Sequence, residues 1–286
     1  MNICEKMVLG TAQFGMNYGI ANLKGKPTEK DVLSILDLAW ERGVRYFDTA
    51  PAYGSEKVLG TFIKANGLQN EIKILAKIPS LQSSDYRKSI ESNLEISLKY
   101  LGCSINVLFF HNPLDSFLLK NNPQFFNNLK RKYPISEFGV SIYDPPEINH
   151  LMDSPFQLAF QFPFNVLDRR FEKVNMLPGK RYARSIFLQG VLTSSRGLIE
   201  NAPEPLVNIQ MNYHSLLNKW EIDPIDFAIS FVFCSKNVDY FLIGVDTRDQ
   251  LNEILNIKVE KFDKWKDVDL SSLDYNIEWL NPRKWG

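Results

Sequence analysis

The sequence predicts an α/β protein whose parallel strands alternate with helices. Eight short runs of β-branched or aromatic residues recur along the chain, and segments with helical spacing of apolar residues lie between them. The 286 residues supply about one such unit per 36 residues. This count suits a (β/α)8 barrel and also a doubly wound sheet, so the spacing alone leaves both architectures open.

The first unit carries the clearest local signals. Residues 8–11 predict a strand, and Thr28 with Asp31 three positions later predicts a capping box. Apolar residues at 32, 35, 36 and 39 then follow a helical period, and Gly43 is placed to end that helix.

The other strand candidates follow in order, at residues 46–49, 73–78, 105–110, 138–141, 158–162, 185–188 and 240–243. A helix with apolar residues at 90, 94 and 98 is predicted to end at Gly102, and Asp223 followed by Pro224 predicts a further helix start. No repeat, linker or low-complexity tract divides the chain. We therefore expect a single domain over residues 1–286.

Charge and composition exclude several classes of partner. Lys plus Arg number 33 and Asp plus Glu number 33, so the net charge of zero argues against nucleic acid as a partner. The three cysteines, Cys4, Cys103 and Cys234, are too scattered for a disulfide framework or a zinc cluster. The apolar runs are too short to span a bilayer, so we expect a cytoplasmic protein without a membrane partner.

Common nucleotide-binding and catalytic motifs do not occur. The sequence lacks G-x-G-x-x-G, the Walker A loop, G-x-S-x-G and H-E-x-x-H. Its three histidines, His111, His150 and His214, are far apart, so no metal centre is expected. A bound nucleotide would therefore not be held by a Rossmann glycine loop.

Four polar residues lie at or just after the ends of strands two, three and four. Asp48 and Tyr53 follow strand two, Lys77 ends strand three and His111 ends strand four. A nearby Lys77 ammonium would lower the pKa of the Tyr53 phenol, and Asp48 would hold that ammonium charged and oriented. His111 could hydrogen-bond a carbonyl oxygen from the other side, so the group suits proton delivery to an oxygen.

These residues, in this order, are where the chain resembles the aldo-keto reductase family. The likeness continues through collinear motifs along nearly the whole chain. They are Gly10-Thr11-Ala12-Gln13-Phe14-Gly15, Phe47-Asp48-Thr49-Ala50-Pro51-Ala52-Tyr53-Gly54, Ala76-Lys77, His111-Asn112-Pro113, Gly139-Val140-Ser141, Gln161-Phe162-Pro163-Phe164-Asn165 with Leu167-Asp168-Arg169-Arg170, Gln189-Gly190-Val191-Leu192-Thr193, and Gly244 with Gln250-Leu251.

The resemblance implies a (β/α)8 barrel that transfers a hydride between a nicotinamide dinucleotide and an aldehyde, ketone or sugar carbonyl. Its implied catalytic residues are Asp48, Tyr53, Lys77 and His111, with Tyr18, Tyr53 and His111 toward the substrate. The expected cofactor-binding residues are Gly10, Thr11, Asp48, Ser141, Gln161, Arg184, Ser185, Phe187, Gly244, Asp246, Thr247, Arg248, Gln250 and Glu253. NADP(H) is the expected cofactor, with NAD(H) as the alternative.

Several positions depart from the family pattern. Ile142 stands where many relatives have an Asn, and Arg184 where many have an aromatic that stacks on the nicotinamide. Arg184 could stack in its place or pair with a phosphate or carboxylate. At the adenosine end Asp246 would repel a 2′-phosphate and accept from a 2′-hydroxyl, whereas Arg248 could reach the phosphate. Ile254 replaces an Asn.

The residues leave two other functions open. One is a nucleotide-binding redox sensor of the same fold with little turnover, and the other is a non-redox isomerase or lyase that uses Lys77 as a Schiff base. The substrate and the oligomeric state are not readable from the residues. The aromatic tail, about residues 262–286, either covers the active-site face or closes the core.

Overall fold

The computed structural model describes residues 2–81, 85–172, 177–193, 198, 202–259, 265 and 267–285. The strands in this part of the chain are β1 Met7–Gly10, β2 Tyr46–Asp48, β3 Lys73–Ile78, β4 Ile105–Phe110, β5 Ile135–Ser141, β6 Leu158–Pro163, β7 Arg181–Arg184 and β8 Tyr240–Ile243. Each strand pairs in parallel with the next, and β8 pairs in parallel with β1. The closed barrel confirms the predicted fold and excludes the doubly wound sheet.

The helices lie between the strands in the sequence. They are α1 Ala12–Gly15, α2 Glu29–Glu41, α3 Glu56–Ala65, α4 Tyr86–Leu101, α5 Phe117–Asn121, α6 Pro123–Lys132, α7 Glu204–Lys219, α8 Pro224–Cys234 and α9 Arg248–Leu255. Between β5 and β6 a 3-10 turn, Pro145–Ile148, takes the place of a long helix. Both α7 and α8 lie between β7 and β8.

The predicted helix boundaries are confirmed where a capping residue signals them. The side chain of Thr28 accepts a hydrogen bond from the Asp31 amide, and the reciprocal bond completes the capping box of α2. Gly102 ends α4 with a φ of 67°, a conformation that glycine adopts at little cost. Asp223 accepts from two amides at the start of α8. Short-range hydrogen bonds therefore explain these ends.

The seventh strand was predicted in the wrong place. The sequence favoured residues 185–188, whereas β7 is Arg181–Arg184 and the predicted segment is a loop. Ser185 and Leu188 have φ values of 56° and 46°, which are incompatible with a strand. Ile186 and Leu188 are nevertheless buried. A buried apolar loop has the same sequence signature as a buried strand, which accounts for the error.

The barrel buries two apolar layers. Val8, Leu75, Val107, Phe109, Ala159 and Tyr182 form a cluster of their own inside the barrel, and the larger cluster packs between the strands and the helices. A filled interior leaves the carboxyl ends of the strands as the place for a site. Among the described residues, no helix combines the length and apolar character that crossing a membrane requires.

Candidate active site

A cleft of about 1040 Å³ lies across the carboxyl ends of the strands. This volume lies at the upper end of the range for small-molecule and cofactor sites. Most of the predicted site residues line it: Gly10, Tyr18, Asp48, Tyr53, Lys77, His111, Ser141, Gln161, Arg184, Ser185, Phe187, Gly244, Asp246, Thr247, Gln250 and Glu253. The barrel thus brings together residues that are distant in sequence.

Thr11 and Arg248 are the two predicted residues that do not line the cleft. Thr11 is buried, where its hydroxyl donates to the Asp48 carbonyl at 3.0 Å and lies 2.7 Å from the Ser55 hydroxyl. Thr11 therefore supports the strand end that carries Asp48. Arg248 is exposed, and its guanidinium donates to the Ser34 carbonyl at 2.6 Å.

The centre of the cleft is a buried ion pair between Lys77 Nζ and Asp48 Oδ1. The two residues come from the neighbouring strands β3 and β2, and both are buried. Gln161 Nε2 donates to the second oxygen of Asp48 at 2.8 Å. Burial lowers the pKa of Lys77, but the Asp48 carboxylate and the Tyr53 hydroxyl outweigh it and raise that pKa above its usual value.

Tyr53 stands at the end of a 3-10 turn, Pro51–Tyr53, directly after β2. A Cβ at Gly15 would lie 1.8 Å from the Tyr53 carbonyl oxygen, so only glycine lets α1 approach this turn. Lys77 Nζ lies 5.2 Å from the centroid of the Tyr53 ring. Burial raises the pKa of Tyr53, and the Lys77 ammonium opposes it without reversing the direction.

His111 follows β4 on the same face of the barrel. Burial lowers its pKa to about 4, and the positive charges of Lys77 and Arg184 act in the same direction. The imidazole is therefore neutral at neutral pH. In that state one ring nitrogen carries a proton that can be donated to a carbonyl oxygen.

Ser141 and Gln161 are buried at neighbouring ends of β5 and β6. Because the side-chain amide nitrogen of Gln161 donates a hydrogen bond to Asp48, Gln161 Oε1 remains as the atom that can accept a hydrogen bond from a ligand. Ile142, one of the departures from the family pattern, is fully buried. Its carbonyl oxygen accepts from Arg184 Nη2 at 3.2 Å, so the backbone at this position fixes Arg184.

The loop after β7 is held in an uncommon backbone conformation. Ser185 and Gln189 have positive φ values of 56° and 52°. Asn165 Nδ2 donates to the Ser185 carbonyl at 3.0 Å, and the Gln189 carbonyl accepts from the Ala21 amide at 3.3 Å. A Cβ at Gly190 would lie 2.4 Å from the Cβ of Ala21. The loops after β7 and β1 therefore contact each other across the cleft.

The far end of the cleft lies between β8 and the start of α9. Thr247 and Gln250 form a capping box there, as their spacing predicts. The carboxylate of Asp246 accepts a hydrogen bond from Asn22 Nδ2 at 3.1 Å. Burial raises the pKa of Asp246 to about 6, and Lys24 opposes the rise. Asp246 is therefore mostly ionised at neutral pH.

The cleft is also lined by Asn22, which the sequence placed near the substrate pocket, and by Tyr143 and Arg283, which the sequence analysis did not single out. The guanidinium carbons of Arg184 and Arg283 lie 3.8 Å and 3.3 Å from the centroid of the Tyr143 ring. Arg283 belongs to the aromatic tail, which the sequence places at about residues 262–286. Of that tail, residues 262–264, 266 and 286 lie outside the described residues. The predicted approach of the tail to this face was the only signal for Arg283.

The protein is a parallel (β/α)8 barrel with a filled interior. An ion pair, a phenol and an imidazole lie at the carboxyl ends of its strands, so the class of protein is a barrel with a site for acid and base chemistry. Within the described residues, no group of three or more His, Cys, Asp or Glu side chains could hold a metal ion. The model of the aldo/keto reductase family matches residues 6–274. The chain belongs to this family, whose members use nicotinamide cofactors.

Individual relatives are more distant. A D-threo-aldose 1-dehydrogenase from Pseudomonas sp is 39% identical over 61 residues, which are 19% of this chain and 18% of that protein. The aldo-keto reductase YhdN of Bacillus subtilis (strain 168) is 26% identical over 207 residues, 68% of this chain and 60% of that one. The chain thus covers less than two thirds of the length of either relative.

Among solved structures, a glycerol dehydrogenase from Gluconobacter oxydans superposes with a TM-score of 0.72 at 20% identity. The match covers 94% of this chain and 92% of that one. At this identity the likeness supports the fold and carries no information on the substrate.

Proposed function

We propose that the protein is an oxidoreductase that reduces an aldehyde, ketone or sugar carbonyl, or oxidises the corresponding alcohol, with a nicotinamide dinucleotide. The observation that carries this proposal is the convergence of Tyr53, Lys77, Asp48 and His111 on one place in the cleft. The reduced cofactor, when bound, supplies the hydride to the carbonyl carbon. The residues of the chain then have to supply a proton to the carbonyl oxygen.

Tyr53 is the proposed proton donor. Its raised pKa keeps the phenol protonated at neutral pH, which is the form that reduction requires. When the proton leaves, the phenolate is stabilised by the Lys77 ammonium, which Asp48 and Gln161 hold in place. Neutral His111 donates a hydrogen bond to the same oxygen and orients the carbonyl. In oxidation the Tyr53 phenolate takes the proton from the alcohol.

The cleft suits an extended dinucleotide at several points. Arg184 Nε is buried without a hydrogen-bond partner, and both Arg184 and Gln161 line the cleft. Ser141 and Gln161 would hold the carboxamide, and Ser185 and Phe187 would lie along the pyrophosphate. These contacts follow the family pattern, while the loop contact between Ala21 and Gln189 would cover the middle of the cofactor.

The adenosine end supports NAD(H) in place of the expected NADP(H). Asp246 lines the cleft with a mostly ionised carboxylate, which repels a 2′-phosphate and accepts from a 2′-hydroxyl. Arg248, the side chain that could have met the phosphate, donates instead to the Ser34 carbonyl. Among the described residues that line this end of the cleft, the cation near Asp246 is Lys24. Asp246 therefore favours the unphosphorylated cofactor.

The non-redox alternative fits the site less well. A Schiff base requires Lys77 as a neutral amine, whereas the ion pair with Asp48 keeps it charged. A sensor with little turnover would have no use for Tyr53 beside Lys77. Neither alternative requires the protein to reduce a carbonyl with NADH or NADPH. A measurement of that activity therefore distinguishes both alternatives from the proposal.

Fluorescence titration with NADH and with NADPH tests the proposal first. We expect saturable binding, tighter for NADH, followed by cofactor oxidation when aldehydes are added. Tyr53→Phe should bind the cofactor as the wild type does and lose about a hundredfold to ten-thousandfold in turnover. Absence of binding by both cofactors would remove the oxidoreductase proposal. Binding without turnover of any carbonyl would favour the sensor.

A further inference from the structure

The catalytic part of the cleft carries an excess of positive charge. Lys77 is neutralised by Asp48, so this pair adds no net charge. Arg184 and Arg283 line the same cleft, and neither takes part in any ion pair of the described residues. Two guanidinium groups without a carboxylate partner indicate a site for an anion.

Tyr143 holds the two guanidinium groups near each other. Their central carbons lie 3.8 Å and 3.3 Å from its ring centroid, so both groups contact the same phenol ring. A guanidinium stacked on a ring keeps its N–H groups directed outward in its own plane. Arg184 already donates to the Ser185 hydroxyl and to the Ile142 carbonyl, so its remaining N–H groups act together with those of Arg283 in binding a carboxylate or a phosphate.

Arg184 and Arg283 lie near the proposed catalytic residues His111 and Tyr53. The charges of Arg184 and Arg283 both act on His111, whose pKa they lower, and Tyr143 lies close enough to affect Tyr53. The acidic lining residues other than Asp48, which are Asp246, Asp249 and Glu253, belong to the segment after β8. Among the described residues that line the carbonyl end of the cleft, the one carboxylate is therefore that of Asp48, which already pairs with Lys77.

We propose that Arg184 and Arg283 form a subsite for an anionic group of the substrate, a carboxylate or a phosphate, next to the carbonyl that Tyr53 protonates. The inference rests on the proposed function, because it names the class of carbonyl compound that the enzyme selects. Arg283 is the distinguishing residue of the subsite, since it comes from the tail and Arg184 also borders the proposed cofactor position. A neutral aldehyde leaves both guanidinium groups without a counter-charge.

The test compares aldehydes that differ only in the anionic group. Succinic semialdehyde is paired with butanal for a carboxylate, and D-glyceraldehyde 3-phosphate with D-glyceraldehyde for a phosphate. We expect the wild type to favour the anionic member of at least one pair in kcat/KM by about tenfold or more. Which pair shows the preference distinguishes a carboxylate from a phosphate.

Arg283→Gln should lower that preference by about tenfold to a hundredfold, which is the value of a hydrogen bond to a charged group. Arg283→Lys should retain part of the preference, because it keeps the charge and loses the planar fork. Lys284→Gln is the matched control: it removes the same charge from the same turn, but Lys284 pairs with Glu278 and does not line the cleft. This control should keep the wild-type ratio.

A binding measurement without turnover separates failure of the subsite from failure of the proposed function. Glutarate and inorganic phosphate should each be titrated by tryptophan fluorescence and thermal shift, with pentane-1,5-diol as the neutral probe. Binding of an anion that Arg283→Gln weakens, in a protein that reduces no aldehyde, would retain the subsite and reject the reductase. Equal kcat/KM within both aldehyde pairs, unchanged in Arg283→Gln, would overturn the subsite and leave the reductase intact.

Discussion

The two ends of the cleft are built differently. At the proposed catalytic end, Asp48 and Lys77 are buried on neighbouring strands and satisfy each other. At the proposed adenosine end, Asp246 is half-buried in a loop and its hydrogen-bond partner, Asn22, belongs to another loop. A buried charge that loses its partner costs far more than a half-exposed one. Substitutions should therefore affect chemistry and stability at the first end, and ligand choice at the second.

The largest effect is expected from Lys77→Met, which leaves the Asp48 carboxylate buried without its counter-charge. Unfolding free energy should fall by about 3–5 kcal/mol, and turnover by about a hundredfold or more. Urea denaturation and steady-state rates measure the two losses. Lys73→Met is the control, since it makes the same change at the opposite end of β3. A stable, active Lys77→Met protein would contradict the larger effect on stability and turnover that we expect at the end of the cleft with Asp48 and Lys77.

The second prediction concerns the pH dependence of the catalytic end. Because burial raises the pKa of Tyr53, its phenol stays protonated through neutral pH and the phenolate forms only at alkaline pH. The rate of alcohol oxidation should therefore rise about tenfold per pH unit and should still be rising at about pH 10. The rate of carbonyl reduction should stay constant from about pH 6 to about pH 9. An oxidation rate that levels off below pH 8 would contradict this assignment, and Tyr53→Phe should lack the dependence.

The third prediction concerns cofactor choice at the adenosine end. Asp246→Ser removes the charge that the proposal places beside the adenosine ribose, so NADPH affinity should rise about tenfold and NADH affinity should fall severalfold. Fluorescence titration of both cofactors gives the ratio, and stability should change little. Asp249→Ser removes a neighbouring cleft-lining charge and serves as the control. Equal shifts in the two variants would indicate a general charge effect in place of a specific contact.

The smallest effect is expected from loss of the cap on α9. Thr247→Ala removes the hydroxyl that accepts from the Gln250 amide, at a cost of about 1 kcal/mol in stability. It should also weaken cofactor binding severalfold, because α9 begins at the adenosine end. Thr28→Ala removes the equivalent cap from α2, whose first turn does not line the cleft. The two variants should lose similar stability, and only Thr247→Ala should affect the cofactor.

Local signals predicted the fold well wherever short-range interactions set the structure. The capping residues Thr28 and Thr247 mark their helices in the structure as they do in the sequence. The segment 185–188 shows where such signals fail, because its apolar residues are buried in a loop whose contacts come from Asn165 and Ala21. Those partners are distant in sequence, so no pattern within the segment could indicate them.

The same division applies to the candidate site. Asp48, Lys77 and His111 could be predicted because strand ends of a parallel barrel meet on one face. Arg248 and Arg283 could not be assigned from their residue types. Arg248 donates a hydrogen bond to the Ser34 carbonyl outside the cleft, whereas Arg283 lies on the Tyr143 ring inside it.

The sequence by itself determined the alternation of strands and helices, because periodicity and caps act over a few positions at a time. Its ordered motifs indicated the family, and the barrel followed from that resemblance. Only the tertiary structure decided which charges have partners. It pairs Lys77 with Asp48, holds Asp246 on Asn22, and leaves Arg184 and Arg283 beside Tyr143 without a carboxylate among the described residues. The physical reason is that pairing and burial depend on distances between segments that folding alone brings together.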